Sequence, residues 1–66
     1  MIDFGNCLKE AQIEKNISSS ALARLIGCHR QQINIWRNKK NVRLDTLIKV
    51  CDALDIEIDE FLFHEK

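Results

Sequence analysis

The stretch Ser18–Asn38, SSSALARLIGCHRQQINIWRN, decides how this chain folds. It reads as two short helices joined by a tight turn. Ala23 is small enough for the second helix to cross close above it. Gly27, four residues later, can take the left-handed backbone that a sharp turn requires, at no steric cost. Ile33 and Trp36 are three apart, so they share one face of the second helix and pack inward. The opposite face then carries Arg30, Gln31, Asn34 and Ile35 outward.

This spacing is that of a helix-turn-helix whose second helix enters the major groove of DNA. Arg and Gln are the side chains that read guanine and adenine edges there. Ser18 suits the N-cap of the first of the two helices, with Ile17 and Leu22 at the two positions of a hydrophobic staple. That helix covers roughly 19–26, with Leu22, Ala23 and Ile26 inward. The turn is Gly27-Cys28-His29, and His29 falls at the next N-cap, where Ser or Thr would cap more strongly. The second helix covers about 30–38 and is followed by a polar loop, Lys39-Lys40-Asn41.

Outward from this core motif, helical spacing predicts a first helix from about Asp3 to Lys15. Phe4, Cys7, Leu8 and Ala11 form its apolar face, and Asn16 is a left-handed stop. A fourth helix is expected over 44–54, with Leu44, Leu47, Ile48, Cys51 and Leu54 on one stripe and Asp45 favourably placed against the dipole. The segment IEIDEFLF, 56–63, reads two ways. Its start alternates apolar and acidic, as a strand would. As a helix, it puts Ile58, Phe61 and Leu62 on one face. A short fifth helix is the expectation; the strand reading would leave an edge able to pair with a second copy.

Sixty-six residues make one domain, 1–66, which buries only about 60% of its unfolded surface and would gain from dimerisation. Little room remains for a catalytic pocket beside a core. No apolar run approaches a membrane span of ~18 residues, and no signal peptide is evident. Three widely spaced cysteines, Cys7, Cys28 and Cys51, do not form a disulfide framework, which favours a cytoplasmic home. Joined with His29 they lack the C-x-x-C pair of a zinc site, so they read as small buried hydrophobes.

The formal net charge is zero, yet its distribution is uneven. Between Lys15 and Leu44 lie Arg24, Arg30, Arg37, Lys39, Lys40 and Arg43, with no Asp or Glu. Asp45, Asp52, Asp55, Glu57, Asp59, Glu60 and Glu65 crowd the C-terminal third. Such a chain has one basic face and an acidic back, and the local field governs docking more than the sum does.

The chain resembles the phage Cro and repressor type of helix-turn-helix domain, often called XRE-like. The resemblance runs from Phe4 to Leu62. It is carried by Leu22-Ala23 with Gly27, Ile33 with Trp36, Asn38-Lys39-Lys40, Leu44-x-x-Leu47-Ile48, and Ala53-Leu54-Asp55-Ile56 into Asp59-Glu60-Phe61-Leu62. It implies an all-α, compact four- to five-helix bundle of the lambda-repressor-like type, with helices 2 and 3 forming the helix-turn-helix. Two positions depart from the pattern. Lys39 stands where the family often has glycine, so either it takes a positive φ or the helix ends differently. Arg43 stands at the cap of helix 4, where Ser or Asp is usual; this forgoes a cap of ~1 kcal/mol.

The resemblance implies base contacts near the start of helix 3. Arg30 would grip guanine, Gln31 would pair with adenine, and Ile35 would touch a thymine methyl, with Asn34 on the same outward face. Ser19 would offer its N–H and hydroxyl to a phosphate. Asn38, Lys39, Lys40 and Arg43 would hold backbone phosphates. Trp36 reads as core rather than a base-stacking ring, Phe61 as core, and Phe63 with Ile58 as a dimer surface. Arg24 can face DNA or only water.

These readings converge on a DNA-binding transcriptional regulator from a bacterium or phage. It is expected to be a repressor, bound as a homodimer to a palindromic double-stranded operator. A prophage regulator, a restriction-modification controller and an antitoxin all fit. The rival reading is a protein-interaction module of the same fold with weak DNA affinity. No cofactor, metal, small-molecule ligand or membrane contact is suggested, and no nucleophile–base pair or phosphate-binding glycine loop points to an enzyme.

Overall fold

In the computed structural model, residues 3–62 are described. They form five helices in chain order: α1 (Phe4–Lys15), α2 (Ser19–Ile26), α3 (Arg30–Arg37), α4 (Leu44–Leu54) and α5 (Ile58–Leu62). No strand occurs among the described residues. Phe63, expected at a partner surface, lies outside them.

The helix ends follow local chemistry. Asp3 caps α1, its side chain accepting from the Asn6 amide at 3.2 Å. Asn16 closes α1 in the left-handed conformation, with φ 54°. Ser18 caps α2 through the Ala21 amide at 3.1 Å, and Gly27 ends α2 at φ 90°. His29 and Arg43 occupy the N-cap positions of α3 and α4, but neither makes a side-chain capping bond. For His29 this overturns a capping role. For Arg43 it matches the lost cap expected from its side chain. At the far end of α4, Asp55 stands in the left-handed region at φ 58°, where an Asp or Asn is the next best choice after glycine.

The core gathers residues from every helix: Phe4, Cys7, Leu8 and Ala11 of α1, Leu22 and Ala23 of α2, Ile33 of α3, Val50, Cys51 and Leu54 of α4, and Phe61 of α5. Trp36 is half-buried and packs against that core. Burial pushes the Cys51 thiol up to about 11, with the neighbouring Asp52 carboxylate adding to the rise, so it stays protonated at neutral pH. The cysteines serve as core atoms in α1 and α4, while Cys28 is half-buried at the turn.

Within the stretch expected as either strand or helix, Ile58–Leu62 forms a helix, and Phe61 fills a core position there. Its ring lies 5.5 Å from that of Phe4 at an interplanar angle of 45°, a tilted aromatic pair of favourable geometry. The Phe61 amide donates to the Glu57 carbonyl at 2.9 Å, which a strand could not arrange. On α4 the buried face is rotated from the one expected. Val50 is fully buried, whereas Leu44 and Ile48 are 66% and 41% exposed. The apolar arc of α4 is wider than the core requires, and the side that turns inward is the one that carries Val50, Cys51 and Leu54.

Candidate nucleic-acid interface

Helix α3 packs on α2 and on α1, with Ile33 fully buried as its anchor. This fixes which of its side chains reach solvent. Arg30, Gln31, Asn34 and Ile35 are all exposed along the opposite face, as the alternation of inward and outward positions requires. Ile35 keeps half of its surface in water, at 50% exposure. An apolar side chain held out among Arg, Gln and Asn contributes nothing to the core, and suits contact with a thymine methyl.

The phosphate candidates fall at the start of α2 and beyond the end of α3. Ser19 opens α2, and its hydroxyl accepts from Gln12 Nε2 at 3.4 Å. Asn38 follows α3, and its side-chain amide donates to the Asn34 carbonyl at 3.0 Å, which orients it along the helix end. Lys39, Lys40 and Arg43 are exposed in the loop beyond. Arg24 is likewise exposed on α2.

How α3 ends answers the question posed by the missing glycine. Lys39 is not in a left-handed conformation. Instead, the Asn38 and Lys39 amides donate to the Ile35 and Trp36 carbonyls, each at 3.1 Å, tightening the last turn into three-residue steps. The carbonyls that follow are used by α1. The Gly5 amide donates to the Lys39 carbonyl at 2.7 Å, and the Phe4 amide donates to the Lys40 carbonyl at 3.0 Å. Two otherwise orphaned N–H groups at the start of α1 are thereby satisfied. In the same contact the Lys39–Lys40 loop is pinned, with both lysine side chains left in solvent.

Only glycine permits this junction. A Cβ on Gly5 would overlap the Arg37 carbonyl and sit 2.8 Å from the Lys39 oxygen. Sequence reasoning passed over Gly5, although an isolated glycine within a helical pattern signals close packing.

A second junction joins α1 to the same end of α3. Gln12 is only 5% exposed. Its side-chain amide donates to the Ile17 carbonyl at 3.2 Å and reaches Ser19, while its oxygen accepts from Arg37 Nη1. Gln12, Ser18, Ser19, Ala21, Asn34 and Arg37 border an open groove where the end of α1, the start of α2 and α3 meet. Gln12 and Arg37 were also not singled out from sequence. The available signal was a polar residue, four after Leu8 and beside Ala11, on the buried side of α1.

Among the described residues, no helix is long and apolar enough to cross a membrane. The geometry is that of a polar helix face carrying Arg30, with further donors at the start of α2 and in the loop after α3.

Comparison with known proteins gives the same picture. The chain matches the family model of the Cro/C1-type HTH DNA-binding domain over residues 8–66. It is similar to the crystal structure of the restriction-modification controller protein C.AhdI from Aeromonas hydrophila. The identity is 37%, the TM-score is 0.74, and the match covers 88% of this chain and 86% of that one. No curated protein matches.

Proposed function

Since this chain belongs to the Cro/C1-type helix-turn-helix DNA-binding domain family, we propose that it is a sequence-specific transcriptional regulator that reads a palindromic operator as a homodimer. The observation that carries this reading is the outward face of α3, where Arg30, Gln31, Asn34 and Ile35 all stand in solvent. Arg30 contacts a guanine edge through two hydrogen bonds, Gln31 an adenine edge, and Asn34 and Ile35 complete the contact. Each bidentate pair supplies roughly 1–3 kcal/mol of discrimination. Ser19, Asn38, Lys39, Lys40 and Arg43 hold phosphates and set the register without reading sequence.

One α3 spans only a few base pairs, so two copies related by a twofold axis read half-sites about one helical turn apart. Ile48 of α4 and Ile58 of α5 border one groove on the side that carries Asp52, Asp55, Glu57 and Glu60. Both isoleucines are more than a third exposed, at 41% and 37%. We assign the homodimer contact to this apolar strip, extended along α4 by Leu44. The protein works in the cytoplasm by occupying DNA rather than by catalysis, and blocking polymerase is the simplest route to repression. Of the regulatory settings open to such a chain, the likeness to a restriction-modification controller favours control of a restriction-modification system.

The test is selection from a random double-stranded DNA pool, with Arg30→Ala beside the parent. A palindromic consensus that relaxes at one position per half-site in the variant is the expected result. An unchanged consensus would remove Arg30 from base reading. No enrichment by the parent would favour the protein-interaction module.

A further inference from the structure

Gln12 is the one buried polar side chain among the described residues, and it touches three separate segments. Its Nε2 donates to the Ile17 carbonyl in the link between α1 and α2 and to the Ser19 hydroxyl at the start of α2. Its Oε1 accepts from Arg37 Nη1 at the end of α3. No buried side-chain nitrogen or oxygen among the described residues lacks a partner, so this amide is fully spent on holding its neighbours.

The chemistry of the anchor matters. A carboxylate at position 12 would hold the guanidinium as firmly, but would cancel its charge. A neutral amide fixes its direction and leaves the charge intact. A guanidinium has five N–H donors in a rigid fork, and the bond to Gln12 uses one of them. Arg37 also borders the groove shared with Ser18, Ser19 and Asn34, on the side of α3 that continues from Arg30 and Asn34 at helical spacing. A planar cation already oriented loses less freedom on meeting a phosphate than a free one does.

We propose that Arg37 contacts a DNA backbone phosphate in this groove, and that Gln12 is the positioning residue that holds the guanidinium there. The proposal rests on the DNA-binding reading above and adds to it a phosphate contact and its support. Gln12 touches no DNA itself. It acts by tying the first residue of α2 and the last residue of α3 to one point, so that Ser19 and Arg37 meet the same strand in fixed register.

The experiment uses the full chain and a fluorescent mixed-sequence duplex about two helical turns long. Affinity is measured by anisotropy across a salt series. Non-specific binding is driven by phosphate neutralisation, and the slope of log affinity against log salt changes by ~0.9 for each phosphate contact. Arg37→Gln should lower that slope by ~0.9. Gln12→Glu, which keeps the bond to Arg37 and cancels its charge while giving up the two donor bonds to Ile17 and Ser19, should lower it likewise. Gln12→Met, which keeps the volume but removes the anchor, should weaken binding, and when combined with Arg37→Gln should cost clearly less than the two losses added, the remainder acting through Ser19. Thermal unfolding of each variant separates folding from binding. A parent slope retained in folded Arg37→Gln would overturn the phosphate contact. Fully additive losses for Gln12→Met and Arg37→Gln would overturn the positioning role. A parent without salt-dependent binding would overturn the DNA reading itself, and this proposal with it.

Discussion

Between Lys15 and Arg43 the chain carries seven basic residues and no acid, whereas from Leu44 onward it carries seven acids and two lysines. The two regions also differ in how their exposed side chains are held. At the α2–α3 end, exposed Arg30, Gln31 and Asn34 ride on a helix whose last residue is tied to α1 twice, at Gly5 and at Gln12. At the α4–α5 end, exposed Ile48 and Ile58 stand among carboxylates. The first region is built to meet an anion. In the homodimer proposed above, the second would attract its copy through apolar contact, because its own charges repel. Salt should therefore act with opposite sign on the two. Screening weakens DNA binding at the basic face and favours self-association at the acidic one.

The comparison would break most readily at Gly5. Ala is the better helix former by about 1 kcal/mol, so a helix-propensity view expects Gly5→Ala to stabilise. The overlap of its Cβ with the Arg37 carbonyl reverses that sign. Overpacking costs about 1–3 kcal/mol, and a clash with rigid backbone falls at the upper end, a large part of what a domain this small commands. Urea unfolding reads it as a lower midpoint at unchanged slope. A midpoint at or above the parent's would mean that the Lys39–Lys40 loop is not held by α1.

The acidic region is tested next by Ile48→Asp. A charge placed in the apolar strip between α4 and α5 should raise the dimer dissociation constant at least ~10-fold, or about 1.4 kcal/mol, with helix content retained. Sedimentation at low and high salt reads the shift. Dimers that persist, or that loosen as salt rises, would place the contact elsewhere.

Arg43, at the border of the two regions, carries the smallest expected effect. It occupies the cap of α4 without making a capping bond. Arg43→Ser should stabilise the fold by about 1 kcal/mol, while lowering the salt slope of DNA binding by ~0.9 if Arg43 holds a phosphate. Gain in stability with no change in slope would leave the arginine without a role at the interface.

Much of this architecture is legible in the chain. Ser18, Asn16 and Gly27 announce their helix ends because capping depends on one residue and its immediate neighbours. Ile33 announces the inward face of α3, and with it the outward set from Arg30 to Ile35, because helical geometry leaves no other arrangement. The apolar face of α1 follows from the same periodicity. Other features are harder to read. Leu44, Leu47, Ile48, Val50, Cys51 and Leu54 offer α4 more apolar arc than one contact can bury. Their pattern does not say that Val50 goes in and Leu44 stays out. The alternation in Ile56–Asp59 suits a strand as well as a helix, until Phe61 finds Phe4.

What the sequence by itself determined was therefore local: the first four helices, the ends at Asn16, Ser18 and Gly27, and the residues that α3 shows to solvent. The tertiary structure alone decided where those elements touch. Gly5 is indispensable only because the end of α3 lies against it, and Gln12 becomes a junction only because Ser19 and Arg37 arrive beside it. Capping and periodicity act over one to four residues. These two contacts join positions far apart along the chain, and no local preference encodes which distant backbone or guanidinium will fill the space.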